Sequence, residues 1–251
     1  MSSSTTASEL AAELREGIAA GQYRYGTRLP GVRGLAEQRG VSQQTVAAAY
    51  ATLAALGLVR TERGSGTVVT AGRAATAHLG AFSPPNLAVG KPWRADDGEV
   101  SEETTLVRQL PAPKYVQDWG ISGEIVERTR IRRVDGVPVQ HKLTVMPYQV
   151  AARVPDGHQG VPPMLAPVGA PPLSPPAGVR VADWLGWDVG DTEVRISAEP
   201  MLSAAAEALG VSEAAPGFRI LNITRDGSGG TLYATVTTAP LHHTVTMDIH
   251  G

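Results

Sequence analysis

Leu29-Pro30-Gly31-Val32-Arg33-Gly34-Leu35-Ala36, then Gly40-Val41-Ser42-Gln43-Gln44-Thr45-Val46, then Gly57-Leu58-Val59-Arg60-Thr61-Glu62-Arg63-Gly64-Ser65-Gly66-Thr67: this run decides the fold of the first quarter of the chain. Arg33 to Arg39 is short enough for two helical turns, with Leu35 and Ala36 on its inner side. Gly40 permits a sharp turn because it tolerates backbone angles that other residues resist. Ser42 is a natural N-cap for the next helix, whose apolar face is Val46, Tyr50, Leu53 and Leu56 at 3.6-residue spacing. Leu58 to Thr61 and Gly66 to Thr70 are β-branched or apolar strands flanking the turn Glu62-Arg63-Gly64-Ser65. Upstream, Leu10, Leu14 and Ile18 line one face of a helix from Ser8 to about Ala20, which Gly21 stops. Helix, helix, turn, helix and glycine-tipped hairpin, in that order, build a winged helix-turn-helix, which places a helix end in the DNA major groove.

Working outward, the composition bounds what the rest can be. The 251 residues hold one large or two ordinary domains, with 42% hydrophobic and 18% charged residues, as a packed chain requires. With no cysteine, disulfides and Cys-based metal sites are excluded and a reducing interior is favoured. No apolar run approaches the roughly 20 residues that span a membrane. The start, Met1-Ser2-Ser3-Ser4-Thr5-Thr6, lacks a signal peptide's basic and apolar regions, so a cytoplasmic protein is expected. Residues 1–75 carry eight arginines against five glutamates, which leaves +3, and with −2 overall the remainder carries −5. A basic module on an acidic body suits a nucleic-acid reader attached to something else.

That remainder reads as strand-rich. Residues 71–85 turn to Ala, Gly, Thr and Ser and read as a linker between a DNA-binding domain, 1–70, and a second domain, 86–251. Ile125 to Val134 and Val137 to Met146 alternate around the hairpin signal Asp135-Gly136. Val194 to Ala198 reads as a further strand and Leu202 to Leu209 as a short helix stopped by Gly210. Phe218 to Thr224 and Thr231 to Thr238 flank a second hairpin turn. Pro155 to Pro176 holds eight prolines in 22 residues, so it is an irregular excursion and neither a central strand nor a continuous helix. The fold class is therefore α+β.

In the DNA-binding unit the residues placed to meet a duplex are Arg33, Ser42, Gln43, Gln44 and Thr45, with Arg63, Gly64, Ser65 and Gly66 on the wing. A glutamine amide matches adenine, accepting from N6 and donating to N7 together, and Thr45 suits a thymine methyl or a phosphate. The wing glycines let backbone approach DNA, and Arg63 can enter the minor groove. In the second domain Arg128, Arg130 and Arg132 lie at i, i+2, i+4 on one strand and share a face. Three guanidiniums there suit a bound carboxylate or phosphate, but the residues alone favour the solvated outer face of an edge strand.

Residues 9–70 resemble the N-terminal domain of GntR-type transcriptional regulators, through Gly26-Thr27-Arg28-Leu29-Pro30, Arg33 with Leu35-Ala36, Gly40-Val41-Ser42, Thr45-Val46, Gly57-Leu58-Val59 and Gly64-Ser65-Gly66-Thr67-Val68-Val69. Two positions depart from that family's usual pattern. Gln43 and Ala47 stand where the resemblance implies guanine-reading arginines, so an altered, A·T-richer half-site is expected. Residues 86–251 resemble the UTRA effector-binding domain of the HutC subfamily, through Arg128 to Val139, Met146-Pro147, Ala204 to Val211 and Pro216 to Thr238. That resemblance implies a chorismate-lyase-like antiparallel sheet that binds a small molecule. It also implies that Arg130 and Arg132 hold the effector, and that Lys142 replaces a glutamate opposite them, leaving room for a second anionic group.

The function expected is a homodimeric repressor, released from a double-stranded DNA operator by a small-molecule effector, anionic or carbonyl-rich. Its rivals are an effector-independent DNA-binding protein and an enzyme on the lyase-like fold. No catalytic residue, metal site or cofactor is expected. The six histidines lack metal-ligand spacing, and His242 and His243 would point to opposite sides if they lay on a strand. No nucleophile-elbow, phosphate-loop or dinucleotide motif occurs.

Overall fold

The computed structural model describes residues 5–62, 66–72, 76–78, 99–171 and 175–246. Its first unit holds α1 (Ala7–Ala19), α2 (Val32–Arg39), α3 (Gln43–Ala55), β1 (Val59–Glu62) and β2 (Gly66–Val69). Thr6 caps α1 in a reciprocal capping box with Glu9, satisfying two otherwise orphaned backbone donors. Gly40 ends α2 in the left-handed conformation, φ 64°, and its N–H donates to the Ala36 carbonyl. Leu10, Leu14, Ile18, Leu35, Val46, Leu53 and Leu58 form one core, each at most 2% exposed. The hairpin pairs β1 with β2 in antiparallel register, Val59 opposite Val69.

The sequence marks a turn at Gly26 and Pro30, and the chain between does more than turn. The Gly26 and Leu29 amides donate to the Val69 and Thr67 carbonyls at 2.9 Å each. Arg28 thereby bridges Val68, and β2 becomes the middle of a three-part wing sheet.

The second unit is one antiparallel six-stranded sheet in the order β4-β5-β6-β9-β8-β7. Its strands are β4 (Val100–Pro111), β5 (Glu124–Val134), β6 (Val137–Pro147), β7 (Val189–Pro200), β8 (Pro216–Asp226) and β9 (Thr231–Pro240). Asp135 (φ 50°) and Gly136 (φ 78°) both take positive φ in the β5–β6 hairpin, as an Asp-Gly turn requires. Four-residue helices α4 (Lys114–Gln117), α5 (Tyr148–Ala151) and α6 (Val181–Trp184), and α7 (Ser203–Leu209), pack around the sheet.

Alternation splits the core across the two sheet faces. Ile125, Val145, Leu221, Ile223 and Val236 pack with Val116 and Trp119 on one face. Val126, Met146 and Leu232 pack with Val150, Leu185 and Trp187 on the other. The proline-rich excursion closes over this second face. Its described residues include a 3-10 turn, Pro163–Leu165, and present the Met164 and Ala166 carbonyls to the Arg128 guanidinium at 2.7 and 3.2 Å.

Of the linker read at 71–85, residues 71, 72 and 76–78 are described. Thr76–His78 form β3, which pairs in parallel with β10 (Thr244–Thr246). His242 and His243 lie in the turn before β10, so the alternation of a strand does not separate them: their ring centroids are 4.0 Å apart. Among the described residues no helix is long and apolar enough to cross a membrane. None of those residues forms a cluster of three potential metal ligands.

Candidate functional site

Two sites are built from the predicted residues, one on each unit. On the first, the Ser42 Oγ accepts the Thr45 amide at 3.0 Å and lies 2.8 Å from the Thr45 hydroxyl, so the cap fixes where α3 begins. Val46, Ala49, Tyr50 and Leu53 are buried, which turns Gln43, Gln44, Ala47 and Ala48 outward, all exposed. The Tyr50 hydroxyl donates to the Pro30 carbonyl at 2.6 Å, tying α3 to the chain entering α2. Burial, with a smaller contribution from Tyr23, pushes its pKa up to about 12, so it stays a donor at any physiological pH.

Arg33 opens α2 and pairs with Glu37 at 3.0 Å, with side chains 82% and 68% exposed. A pair that open to water contributes about 0.3–0.5 kcal/mol and yields easily to a phosphate. Gly66 starts β2 at φ 85°, while Arg63, Gly64 and Ser65 lie outside the described residues. Two exposed residues that sequence reasoning did not select also belong to this surface. Arg28 and Arg60 flank Val68 from either side and so share its face of the wing sheet. The signal that finds them is the pairing of residues 26–29 with β2, a non-local contact that no periodicity carries.

On the second unit the ladder lays polar residues in rows across one face. Arg128 faces Thr144, which faces Thr235, which faces Asn222; two residues along, Arg130 faces Lys142, which faces Thr237. Arg130, Arg132 and Lys142 therefore converge as neighbours, whereas Arg128 is drawn away to the excursion's carbonyls. Burial above all, then the Arg130 charge, lowers the Arg128 pKa to about 10.

Between the two remaining arginines stands Glu102 of β4. Arg130 donates to its Oε1 at 2.8 Å and the Arg132 Nε to its Oε2 at 2.6 Å, while Arg132 also donates to the Gln140 Oε1 at 3.1 Å. Burial pushes the Glu102 carboxyl up, but the Arg132 and Arg130 charges outweigh it and hold the group below the usual carboxylate range. Lys142 is brought down to about 7, chiefly by burial and then by the two arginine charges. Asn222 Oδ1 and Thr235 Oγ1 are buried in the adjoining row with no hydrogen-bond partner.

Sequence reasoning missed Glu102 because it did not recognise β4 as a strand. That strand is an edge, its burial nowhere strictly alternating, and Ser101-Glu102-Glu103-Thr104-Thr105 reads as a polar loop.

Residues 6–69 match the bacterial regulatory proteins of the gntR family. The N-terminal unit is a gntR-type helix-turn-helix. No curated protein matches the chain. Among solved structures, one described as a GntR-family transcriptional regulator is 18% identical and aligns 98% of this chain with 97% of its own, at a TM-score of 0.50. PhnF from Mycobacterium smegmatis is 20% identical over 98% of this chain and 100% of its own, TM-score 0.48. The C-terminal domain of the histidine utilization repressor from Pseudomonas syringae pv. tomato is 12% identical over 61% of this chain and all of its own, TM-score 0.47. At 18% identity and a TM-score of 0.50 the first of these likenesses concerns the fold alone: a winged helix-turn-helix followed by an antiparallel six-stranded sheet domain.

Proposed function

We propose that this chain is a transcriptional repressor that binds a palindromic operator as a homodimer and is released by a small anionic effector. The observation that carries the reading is the N-terminal end of α3, where a side-chain cap fixes the helix start and Gln43 and Gln44 stand exposed beside it. Residues 1–70 serve as the reading head and residues 86–251 as a UTRA-type body, with 71–85 joining them. The body spaces two heads over the half-sites. The effector seats on Arg130, Arg132 and Lys142 and shifts the population toward dimers whose heads are mis-spaced. Regulation and DNA binding, and no catalysis, are what the gntR-type match supports. A cytoplasmic location goes with that role.

The test is to recover DNA fragments from random sequence with the pure protein, then measure operator affinity for Gln44→Ala. Specific binding should fall more than non-specific binding, and equal losses would reject base reading by Gln44. Arg130→Ala should abolish the effector response while leaving operator affinity intact; retained induction would sink the effector seat. One observation favours a second reading, an effector-independent DNA binder: Arg130 and Arg132 are already satisfied by Glu102. Operator affinity that no small anion changes would decide for it.

A further inference from the structure

We propose that Glu102 is a built-in surrogate for the effector's anionic group, holding the arginine pair until an incoming anion displaces it. The proposal rests on the assignment of the effector seat to Arg130, Arg132 and Lys142 and adds how that seat is regulated. A carboxylate that bridges two guanidiniums makes the charge-assisted contacts a bound carboxylate or phosphate would make. Glu102 does this with both oxygens, one to each arginine. The Arg132 side chain is only 8% exposed and also donates to the Gln140 Oε1. An anion that takes the donors Glu102 now uses, Nη1 of Arg130 and Nε of Arg132, must displace it.

A neighbouring ion pair shows that the arrangement is more than an ordinary cross-strand contact. Glu103 and Arg133 lie one residue along the same two strands and face the other way; they make a single 2.8 Å contact with Glu103 61% exposed. Glu102 is 33% exposed and sits against two arginines. The charge around it is unbalanced. Arg128, Arg130, Arg132 and Lys142 occupy adjacent positions on β5 and β6, and among the described residues no carboxylate stands within ion-pair distance of Lys142. One carboxylate against this cluster leaves a surplus of positive charge, so a second anion is attracted to a seat the first must give up. A doubly charged group such as a phosphomonoester or a dicarboxylate answers that surplus better than a single carboxylate does.

Displacement has a route outward. Glu102 belongs to the first residues of β4, where Val100 to Glu103 face Val134 to Ile131 of β5. Just before them the Glu99 amide donates to the Asp135 carboxylate at 2.9 Å. The start of β4 is thus fastened at Glu99 and again at Glu102, and it is the end of the sheet domain nearest in sequence to the reading head. Displacing Glu102 would remove the second of these side-chain ties and leave the backbone pairing of that strand start with β5 in place.

The experiment uses the full chain and inorganic phosphate as the probe, with binding measured by calorimetry at neutral pH. Glu102→Gln should bind phosphate at least tenfold more tightly than the unsubstituted protein. Glu103→Gln, the same charge change one residue away, should leave binding unchanged. Arg130→Ala added to Glu102→Gln should erase the gain. Equal gains in Glu102→Gln and Glu103→Gln overturn the proposal, since a general charge effect then explains both. No gain in Glu102→Gln, while Arg130→Ala weakens phosphate binding by the unsubstituted chain, overturns it and leaves the effector seat standing. A gain that survives loss of both Arg130 and Arg132 places the anion elsewhere and overturns the seat itself. Should Glu102→Gln fail to fold, Glu102→Asp retracts the carboxylate by one methylene; it should show a smaller gain in the same direction, and none overturns the proposal.

Discussion

In the winged unit Arg33 and Glu37 form an ion pair with side chains 82% and 68% exposed; in the sheet unit Arg132 is 8% exposed and meets a carboxylate, Glu102, that also holds Arg130. The same chemical pairing serves opposite ends. On the reading head, arginines kept in water cost little to redirect toward a phosphate backbone. In the sheet, taking charge out of water is expensive unless it is paired. Arg128 finds two backbone carbonyls, and Arg132 finds Glu102 and Gln140. On the proposed function, the surface for a large polyanion stays open, whereas the proposed seat for a small anion is filled when idle.

The largest effect that would sharpen this contrast comes from separating the two units. Leu53→Ala removes a side chain buried in the first core, and a large-to-small change of this kind costs about 2–5 kcal/mol. Hydrogen exchange should show lost protection in α1 to α3 while β5 and β6 keep theirs. Equal loss in both would show that the units fold as one.

Next comes a pH effect confined to the sheet. The Lys142 pKa in the folded protein, about 7, lies below the ordinary lysine value of 10.5. Between those values the unfolded chain binds a proton that the folded chain has released, so stability should rise as pH climbs from about 7 toward 10. Lys142→Met should flatten the rise in denaturant midpoint over that range. A slope that persists in the variant would assign it to other groups. Glu102 acts in the opposite window: its lowered pKa contributes stability that is present above about pH 4.5 and lost as pH falls through the folded value.

Smaller effects probe the reading head. Ser42→Ala removes the α3 cap and should lower stability by about 1 kcal/mol, seen as a reduced melting temperature. An unchanged melting temperature would mean that the Ser42 contacts to Thr45 are replaced by water without loss. Arg28→Ala should weaken binding to all DNA sequences alike and reduce the salt slope by about 1. A loss restricted to one operator sequence would instead make Arg28 a base reader.

The same contrast governs how much of each unit could be read from residues. The head is local: caps, turn glycines and a 3.6-residue period fix α1 to α3 and the β1–β2 hairpin, and their bounds agree with the structure to within a residue or two. What escaped was the non-local pairing of Gly26–Leu29 with β2, and with it the surface of Arg28 and Arg60. In the sheet, β5, β6, β8 and β9 were legible because buried strands alternate and their hairpins carry Asp-Gly or Gly-rich turns. Strand β4, an edge with most of its residues exposed, carries no such pattern. Its place beside β5 follows from long-range pairing, and the partner of the arginine pair was invisible until that pairing was known. The excursion was correctly excluded from helix and central strand by its prolines, yet nothing in those prolines indicates that Met164 and Ala166 would turn their carbonyls onto Arg128.

Gly57, which closes α3 and leads into β1, takes φ 71°, and a Cβ built there would come within 3.2 Å of the Ala215 Cβ and 3.8 Å of Val211 in the sheet domain. A single residue thus lies both at the exit of α3 and at the contact of that helix end with Ala215. A residue with a side chain at this corner would strain the left-handed turn, and the Ala215 methyl would have to give by a few tenths of an ångström.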